Sequence, residues 1–251
     1  GQIARSYGIR YDEEVAHRAD YDAEVLAQTY MNMLNELKHI KNLHDLQAMQ
    51  TEACFSKVRK KHVTILVKNM SGLKELFELV TLSHTAYLSY SGKNTANIVA
   101  EPRILRREIQ KRRMNGNLLV GSSCLNGEVF EIAQTRNAQQ LEEVISFYDY
   151  VEIQPLSNYM YLVERDSIAS IERLKEILQA IIDAADKLGI PVVATGDAHY
   201  VHPRDKMIRD IYISSQAIGG VRHPLYIYNQ EKRHRFKAPD QHFRTTTEML
   251  K

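Results

Sequence analysis

The stretch "PVVATGDAHYVHPRDK", residues 191–206, gathers metal-capable side chains where an apolar run stops. Asp197 and His199 stand two residues apart directly after "PVVAT". In extended backbone alternate side chains share a face, so a carboxylate and an imidazole at that spacing can grip one ion. A further donor, Cys124, follows another apolar run, "LLVGSS". Thiolate and imidazole favour softer cations, so Asp, His and Cys together suit Zn, Mn or Fe better than Mg or Ca. Asp-x-His alone is common in loops, and a lone Cys is commonly a small buried hydrophobe, so the weight falls on their joint placement. Near the start, "HRADYD" sets His17 five positions before Asp22. A carboxylate there can hold a divalent cation while the imidazole takes a proton from water, a hydrolytic pair. Helix capping is the competing reading, because Asp20 or Asp22 suits a helix N-terminus by charge alone.

Hydrophobic spacing predicts the elements that must position these residues. From Asp22 to about Leu37, apolar residues at Val25, Leu26, Ala27, Tyr30, Met33, Leu34 and Leu37 predict one amphipathic helix. Residues 38 to 61 are rich in Lys, His, Gln and Asn, end in "KVRKK" and lack Gly and Pro, which predicts a linker and a domain boundary. Beyond it, "HVTILVKN", "NLLVGSS", "DYVEIQP" and "PVVATGD" predict strands. Helices are expected from Ser71 to about Tyr87, over 137–148, and over 167–188, where Gly189 and Pro191 supply the stop. Apolar strands separated by amphipathic helices predict an α/β fold, a parallel sheet or barrel covered on both faces. Ligands in such folds bind at the carboxyl ends of strands, which is where Cys124, Asp197 and His199 fall. "SYSGKNTANIVA", 89–100, reads as a polar surface loop, His84 as a helical residue near the core, and His202 as a surface loop residue. From Gly219 to Lys251 periodicity fades, predicting a connection.

With 251 residues the chain can bury a sizeable core as one large or two small domains. Hydrophobic content of 44%, charged content of 25% and a net charge of +2 fit an ordinary globular protein and identify no partner. Cys54 and Cys124 form no C-x-x-C pattern, which suits free thiols in a reducing compartment and a cytoplasmic location. "GQIARSYGIRYDEE" lacks the apolar core of a signal peptide and no run of eighteen apolar residues occurs, so neither secretion nor membrane spanning is expected. The same opening reads as the end of a helix, so a piece of a longer protein is expected. "KVRKK" and "RILRREIQKRR" are basic enough to touch phosphates, though charge runs are usually solvated helix faces.

The blocks also occur in a telling order. "HRADYDAEVLAQTYMNML", preceded by "IARSYGIRYDEE", resembles the last motif of a DnaQ-like proofreading 3′–5′ exonuclease. "HVTILVKNMSGLKELFELVTLSHTAYL", "EPRI", "LLVGSSCLNGEVFE", "FYDYVEIQP", "KLGIPVVATGDAHYVHPRDK" and "HFRTTTEML" then resemble the second half of the PHP domain of PolC-type DNA polymerase III alpha subunits. In that family the exonuclease is inserted within the PHP domain, which matches the order here. The resemblance implies residues 1–38 as the end of an exonuclease, 39–61 as a linker, 62–218 as the C-terminal part of a PHP-type (β/α) barrel, and 219–251 as a connection toward a polymerase domain. It implies Asp22 as a ligand of exonuclease Mg or Mn, His17 as general base, and His62, Cys124, Asp197 and His199 as ligands of Zn, Mn or Fe. Arg103 would meet a phosphate, support the site or form a structural ion pair. Implied partners are DNA, deoxynucleoside triphosphates, a sliding clamp and other replisome subunits, and no membrane. Many family members resemble Asn-x-His where this chain has Asp197-x-His199, and a carboxylate is the stronger ligand. The early exonuclease Asp-x-Glu, the early PHP ligands and the polymerase carboxylates are absent from these blocks, so an incomplete set of sites is expected. A free-standing PHP-type phosphoesterase and a non-catalytic PHP scaffold are the alternative readings.

Overall fold

The computed structural model describes residues 1–16, 18–38, 40–42, 45, 58–91, 99–215, 223, 225–226 and 238–249. The chain divides into two units, Gly1–Val58 and Arg59–Lys251.

In the first unit, α1 (Gln2–Ser6) precedes α2 (Ala19–Glu36), which starts three residues before Asp22. Asp20 and Asp22 lie in the first turn of α2, where negative charge meets the positive end of the helix. Arg18 precedes that turn and pairs with Asp20 at 2.8 Å. The apolar stripe follows the expected spacing, yet Leu26, Tyr30, Met33 and Leu34 are exposed and Thr29 is the buried residue of the helix. Spacing marks which side is apolar; it does not say what covers it. Most of the expected linker lies outside the described residues.

The second unit begins with β1 (Thr64–Val67) and α3 (Met70–His84). Asn69 caps α3, its side chain accepting from Gly72 N at 2.9 Å. β2 (Ser89–Ser91) and β3 (Val99–Glu101) follow, then α4 (Arg106–Arg113) and β4 (Leu118–Gly121). After these come α5 (Glu128–Thr135), α6 (Ala138–Ile145) and β5 (Val151–Ile153). Next are α7 (Met160–Glu164), α8 (Ile171–Lys187), β6 (Val192–Ala194), α9 (Lys206–Ser214) and α10 (Thr246–Met249).

β5 and β6 pair in parallel from Val151↔Val192 to Ile153↔Ala194. β4 joins them through the parallel bridge Gly121↔Tyr150, with Asp149 N donating to Val120 O at 2.7 Å. β1, in contrast, runs antiparallel to β4, from Thr64↔Gly121 to Val67↔Leu118. The sheet is therefore mixed, and no closed barrel forms among the described residues. A short apolar run reads alike in either direction, so strand polarity was not available from the pattern.

α8 shows why the helices lie where they do. Ser170 Oγ caps its start by accepting from Arg173 N at 3.1 Å. Leu174, Ile177, Leu178, Ile181, Ala184 and Ala185 then recur at helical spacing and are buried. They meet Leu118 and Val120 of β4, Val151 of β5, Phe130 of α5 and Ile145 of α6 in one core. Burying each large aliphatic side chain contributes about 1.5–3 kcal/mol, which sets the register of helix against sheet. The turn at Leu188, expected inside the apolar face, is exposed.

Three expectations change. The stretch 89–100 is not loop throughout: its ends pair as β2 and β3, Ser89 opposite Glu101, because period-two polar and apolar residues also make an edge hairpin. His84 is exposed in the last turn of α3, with Nδ1 2.9 Å from Val80 O. Residues 238–249, expected as mere connection, fold back: Tyr200 and His242 form a parallel bridge.

Candidate metal centre

β4 delivers its chain into a tight turn that carries Cys124. Ser122 is buried, and its Oγ accepts from Glu152 N at 2.9 Å, tying the turn to β5. Ser123 takes φ 62, a left-handed conformation uncommon for a non-glycine residue. Gly127 N then donates to Cys124 O at 2.7 Å and closes the turn. His62 is brought alongside by its N–H, which donates to Asn126 O at 3.1 Å, and by a parallel bridge to Gly127. As a result His62 Nδ1 lies 3.4 Å from Cys124 Sγ. Two ligands of a tetrahedral zinc, at ordinary Zn–S and Zn–N lengths, stand about 3.5 Å apart. Burial pushes the Cys124 thiol up, the charge of Asp197 adds to this, and the Asn126 N–H opposes it.

The second pair sits beyond β6. Thr195 N donates to Ile153 O at 3.0 Å and its hydroxyl donates to Glu152 Oε2 at 3.0 Å, which extends the β5–β6 ladder by one residue. Asp197 takes φ 50, the second left-handed non-glycine position at these strand ends. Its Oδ2 accepts from Gln241 Nε2 at 2.7 Å. His199 Nδ1 lies 2.7 Å from the Asp197 carbonyl oxygen and 4.0 Å from Asp197 Oδ1. A carbonyl only accepts, so Nδ1 carries the proton and, in the neutral ring, the Nε2 lone pair is left for a ligand. Burial pushes the phenols of Tyr159 and Tyr161 up, and the charges of Cys124 and Asp197 add to this.

Over 245 residues the chain is 39% identical to DNA polymerase III PolC-type of Halalkalibacterium halodurans, covering 96% of this chain and 16% of that protein. It is 36% identical over 251 residues to DNA polymerase III PolC-type of Staphylococcus aureus, covering 99% of this chain and 16% of that one. The chain is similar over nearly its whole length to one segment of proteins named DNA polymerase III PolC-type. It spans about a sixth of the length of these relatives. No protein-family profile matches it.

Within this PolC-like segment the expected site residues fall into separate places. His62 meets Cys124 and Asp197 meets His199, but among the described residues no three His, Cys, Asp or Glu side chains converge as a metal-holding group. Asp22 is half-buried in the first turn of α2, its N–H donating to Arg18 O at 2.9 Å. His17 lies outside the described residues. Arg103 is largely buried, its Nη2 2.9 Å from Glu101 Oε2. Three further arginines of the basic run are also paired: Arg106 with Glu128, Arg112 with Glu78 and Glu108, and Arg113 with Asp149.

Sequence reasoning passed over Glu152 and Gln241. Glu152 was readable as the one charge inside "VEI", and it binds the Thr195 hydroxyl that leads to Asp197. Gln241 gave no signal, since it reaches Asp197 from 44 residues away.

Proposed function

We propose that this chain works within a bacterial replicative DNA polymerase of the PolC type, joining the end of a proofreading exonuclease to the later part of a PHP domain. The observation that carries this reading is 36–39% identity over 96–99% of the chain to proteins named DNA polymerase III PolC-type. The whole protein would extend DNA from deoxynucleoside triphosphates in the cytoplasm and excise mispaired 3′ nucleotides, with a sliding clamp and other replisome subunits as partners. Residues 1–38 would end the exonuclease, 39–61 would link, 62–218 would complete a PHP-type (β/α) barrel, and 219–251 would lead toward the polymerase. The parallel order β4–β5–β6 with helices between the strands supports the barrel reading. Asp22 would hold exonuclease Mg or Mn and His17 would serve as its base.

His62, Cys124, Asp197 and His199 suit Zn, Mn or Fe by donor chemistry, and the 3.4 Å separation of His62 and Cys124 supports a shared ion. A metal bound there supplies Lewis acidity toward a phosphoryl oxygen. The chain's own residues orient the donors. His199 Nδ1–H donates a hydrogen bond to the Asp197 carbonyl oxygen, and the Ser122–Gly127 turn holds Cys124 against His62. Arg103, paired with Glu101, braces the β2–β3 hairpin.

The test uses the full-length gene product in primer extension, in excision of a mispaired 3′ nucleotide, and in metal analysis. Template-dependent extension is expected, with Asp22→Ala losing excision while keeping extension, and Cys124→Ala losing bound transition metal. A full-length product without template-dependent extension would refute the reading.

A further inference from the structure

Residues 241–243 return to the loop after β6 and tie it down. Gln241 engages that loop through its side chain, its carbonyl and its N–H. Its Nε2 donates to Asp197 Oδ2 at 2.7 Å, its carbonyl accepts from His199 N at 2.8 Å, and its N–H donates to the Tyr200 hydroxyl at 3.0 Å. Phe243 N adds a bond to Tyr200 O at 2.9 Å. Gln241 is 5% exposed, so water does not compete for its amide. The orientation of that amide is fixed by its partner: a carboxylate only accepts, so the nitrogen faces Asp197. Oε1 is the other end, buried and without a hydrogen-bond partner among the described residues. A buried amide that leaves its own oxygen unsatisfied while donating to a carboxylate is more than a space-filler, because apolar side chains fill space without that cost.

Asp197 needs such a partner. Its left-handed backbone, φ 50, is one that L residues rarely adopt unless neighbours over-determine it. Asn158 Nδ2 holds the preceding carbonyl, Gly196 O, at 3.1 Å, and Gln241 holds the side chain. With Oδ2 taken by the amide, the oxygen left to face a cation is Oδ1, 4.0 Å from His199 Nδ1.

Resting on the metal-site reading above, we infer that Gln241 is a positioning residue of that site, which selects Asp197 Oδ1 as the ligand oxygen and fixes the Asp197–His199 pair from behind. Partners of this kind, which touch the ligand and not the metal, commonly govern affinity by 10- to 100-fold. The amide is also neutral, so it orients the carboxylate without adding a second anion that would itself bind the ion.

The experiment measures Zn²⁺ and Mn²⁺ affinity of the full-length protein by chelator competition. Gln241→Met keeps the length of the side chain and removes the donor. It is expected to weaken binding about 10- to 100-fold, and to add nothing in an Asp197→Ala background, since it acts through Asp197. Equal weakening in both backgrounds would show a general structural effect and overturn the inference. Unchanged affinity in Gln241→Met, with Asp197→Ala weakened, overturns the positioning role and leaves the metal site standing. Unchanged affinity in both variants overturns the metal site as well. Should Gln241→Met fail to fold, Gln241→Asn, whose shorter amide falls out of reach of Asp197, is expected to weaken binding too; wild-type affinity there overturns the inference.

Discussion

Gly127 tests whether the turn that holds Cys124 is as tightly packed as it looks. Its backbone, φ −70 and ψ 167, is open to any residue, so conformation does not demand glycine. Space does. A Cβ added there would lie 2.9 Å from the Cys124 carbonyl oxygen and closer still to that of Ser122. Comfortable C···O contacts begin at about 3.3 Å, so both carbonyls would have to retreat, and backbone atoms cannot rotate aside as a side chain would. Two effects of Gly127→Ala oppose each other. Reduced freedom of the unfolded chain stabilises by about 0.4–1 kcal/mol, and overpacking costs about 1–3 kcal/mol. The steric cost at least offsets the gain, for a net loss of about 0–2.6 kcal/mol. At about 2–4 °C per kcal/mol for a domain of this size, the melting temperature should fall by up to about 10 °C. The same retreat moves Asn126 O, which holds His62 N at 3.1 Å, so Cys124 should alkylate faster. Thermal melts and alkylation rates in a Cys54→Ser background measure both. A Gly127→Ala chain that melts higher, with unchanged alkylation, would refute the packing argument.

Asp149 accepts from Arg113 Nη2 and from Val120 N, each at 2.7 Å. Burial pushes its carboxyl up, but the Arg113 guanidinium and the Val120 N–H outweigh that and leave it below its ordinary 3.8. Asp149→Asn should therefore cost about 1.5–3 kcal/mol at neutral pH. The deficit should stay level from about pH 8 to 5 and shrink as pH falls below 3.8 through the lower folded value, in urea titrations at stepped pH. A deficit unchanged into acid would count against the ion pair. In α8, Leu174→Ala, at a fully buried position, should cost about 2–5 kcal/mol. Leu188→Ala, at an exposed one, should stay within about 0.5 kcal/mol. Equal losses would contradict the observed burial.

Local pattern carried the elements, and failed where partners are distant. The spacing of Leu174, Ile177, Leu178 and Ile181 was enough to place α8 and its inward face, because burial repeats every three to four residues whatever the surroundings. α5 was missed because its apolar residues Val129, Phe130, Ile132 and Ala133 are spaced one and two apart, which by itself marks no helical period. The antiparallel direction of β1 was hidden because "TILV" is apolar in either sense. At the site, Asp197 and His199 were legible as a pair since two-residue spacing is local, and His62 with Cys124 was reached only through family resemblance. The hold of Gln241 on Asp197 was not legible at all, for nothing in "PDQHF" indicates which loop it meets.

Charge and chemistry are segregated in the second unit. Several arginines of the basic runs that suggested phosphate binding pair with carboxylates from other elements: Arg113 on α4 with Asp149 before β5, Arg106 with Glu128 on α5, Arg112 with Glu78 on α3, Arg59 with Glu131. Such pairs link α4 to α3, to α5 and to the segment before β5, and each neutralised guanidinium contributes less to any electrostatic footprint for DNA. The donors suited to a metal take the opposite course. Cys124 follows a left-handed Ser123 and Asp197 is itself left-handed, so each departs from its strand at a turn that regular backbone would not make. Such turns persist only when neighbours fix them, here Glu152 N on Ser122 and the amides of Asn158 and Gln241 about Asp197. Ionic contacts thus link elements of the scaffold, while hydrogen bonds from uncharged groups, those of Gln241, Asn158 and the Glu152 backbone, orient the turns that carry the donor pairs.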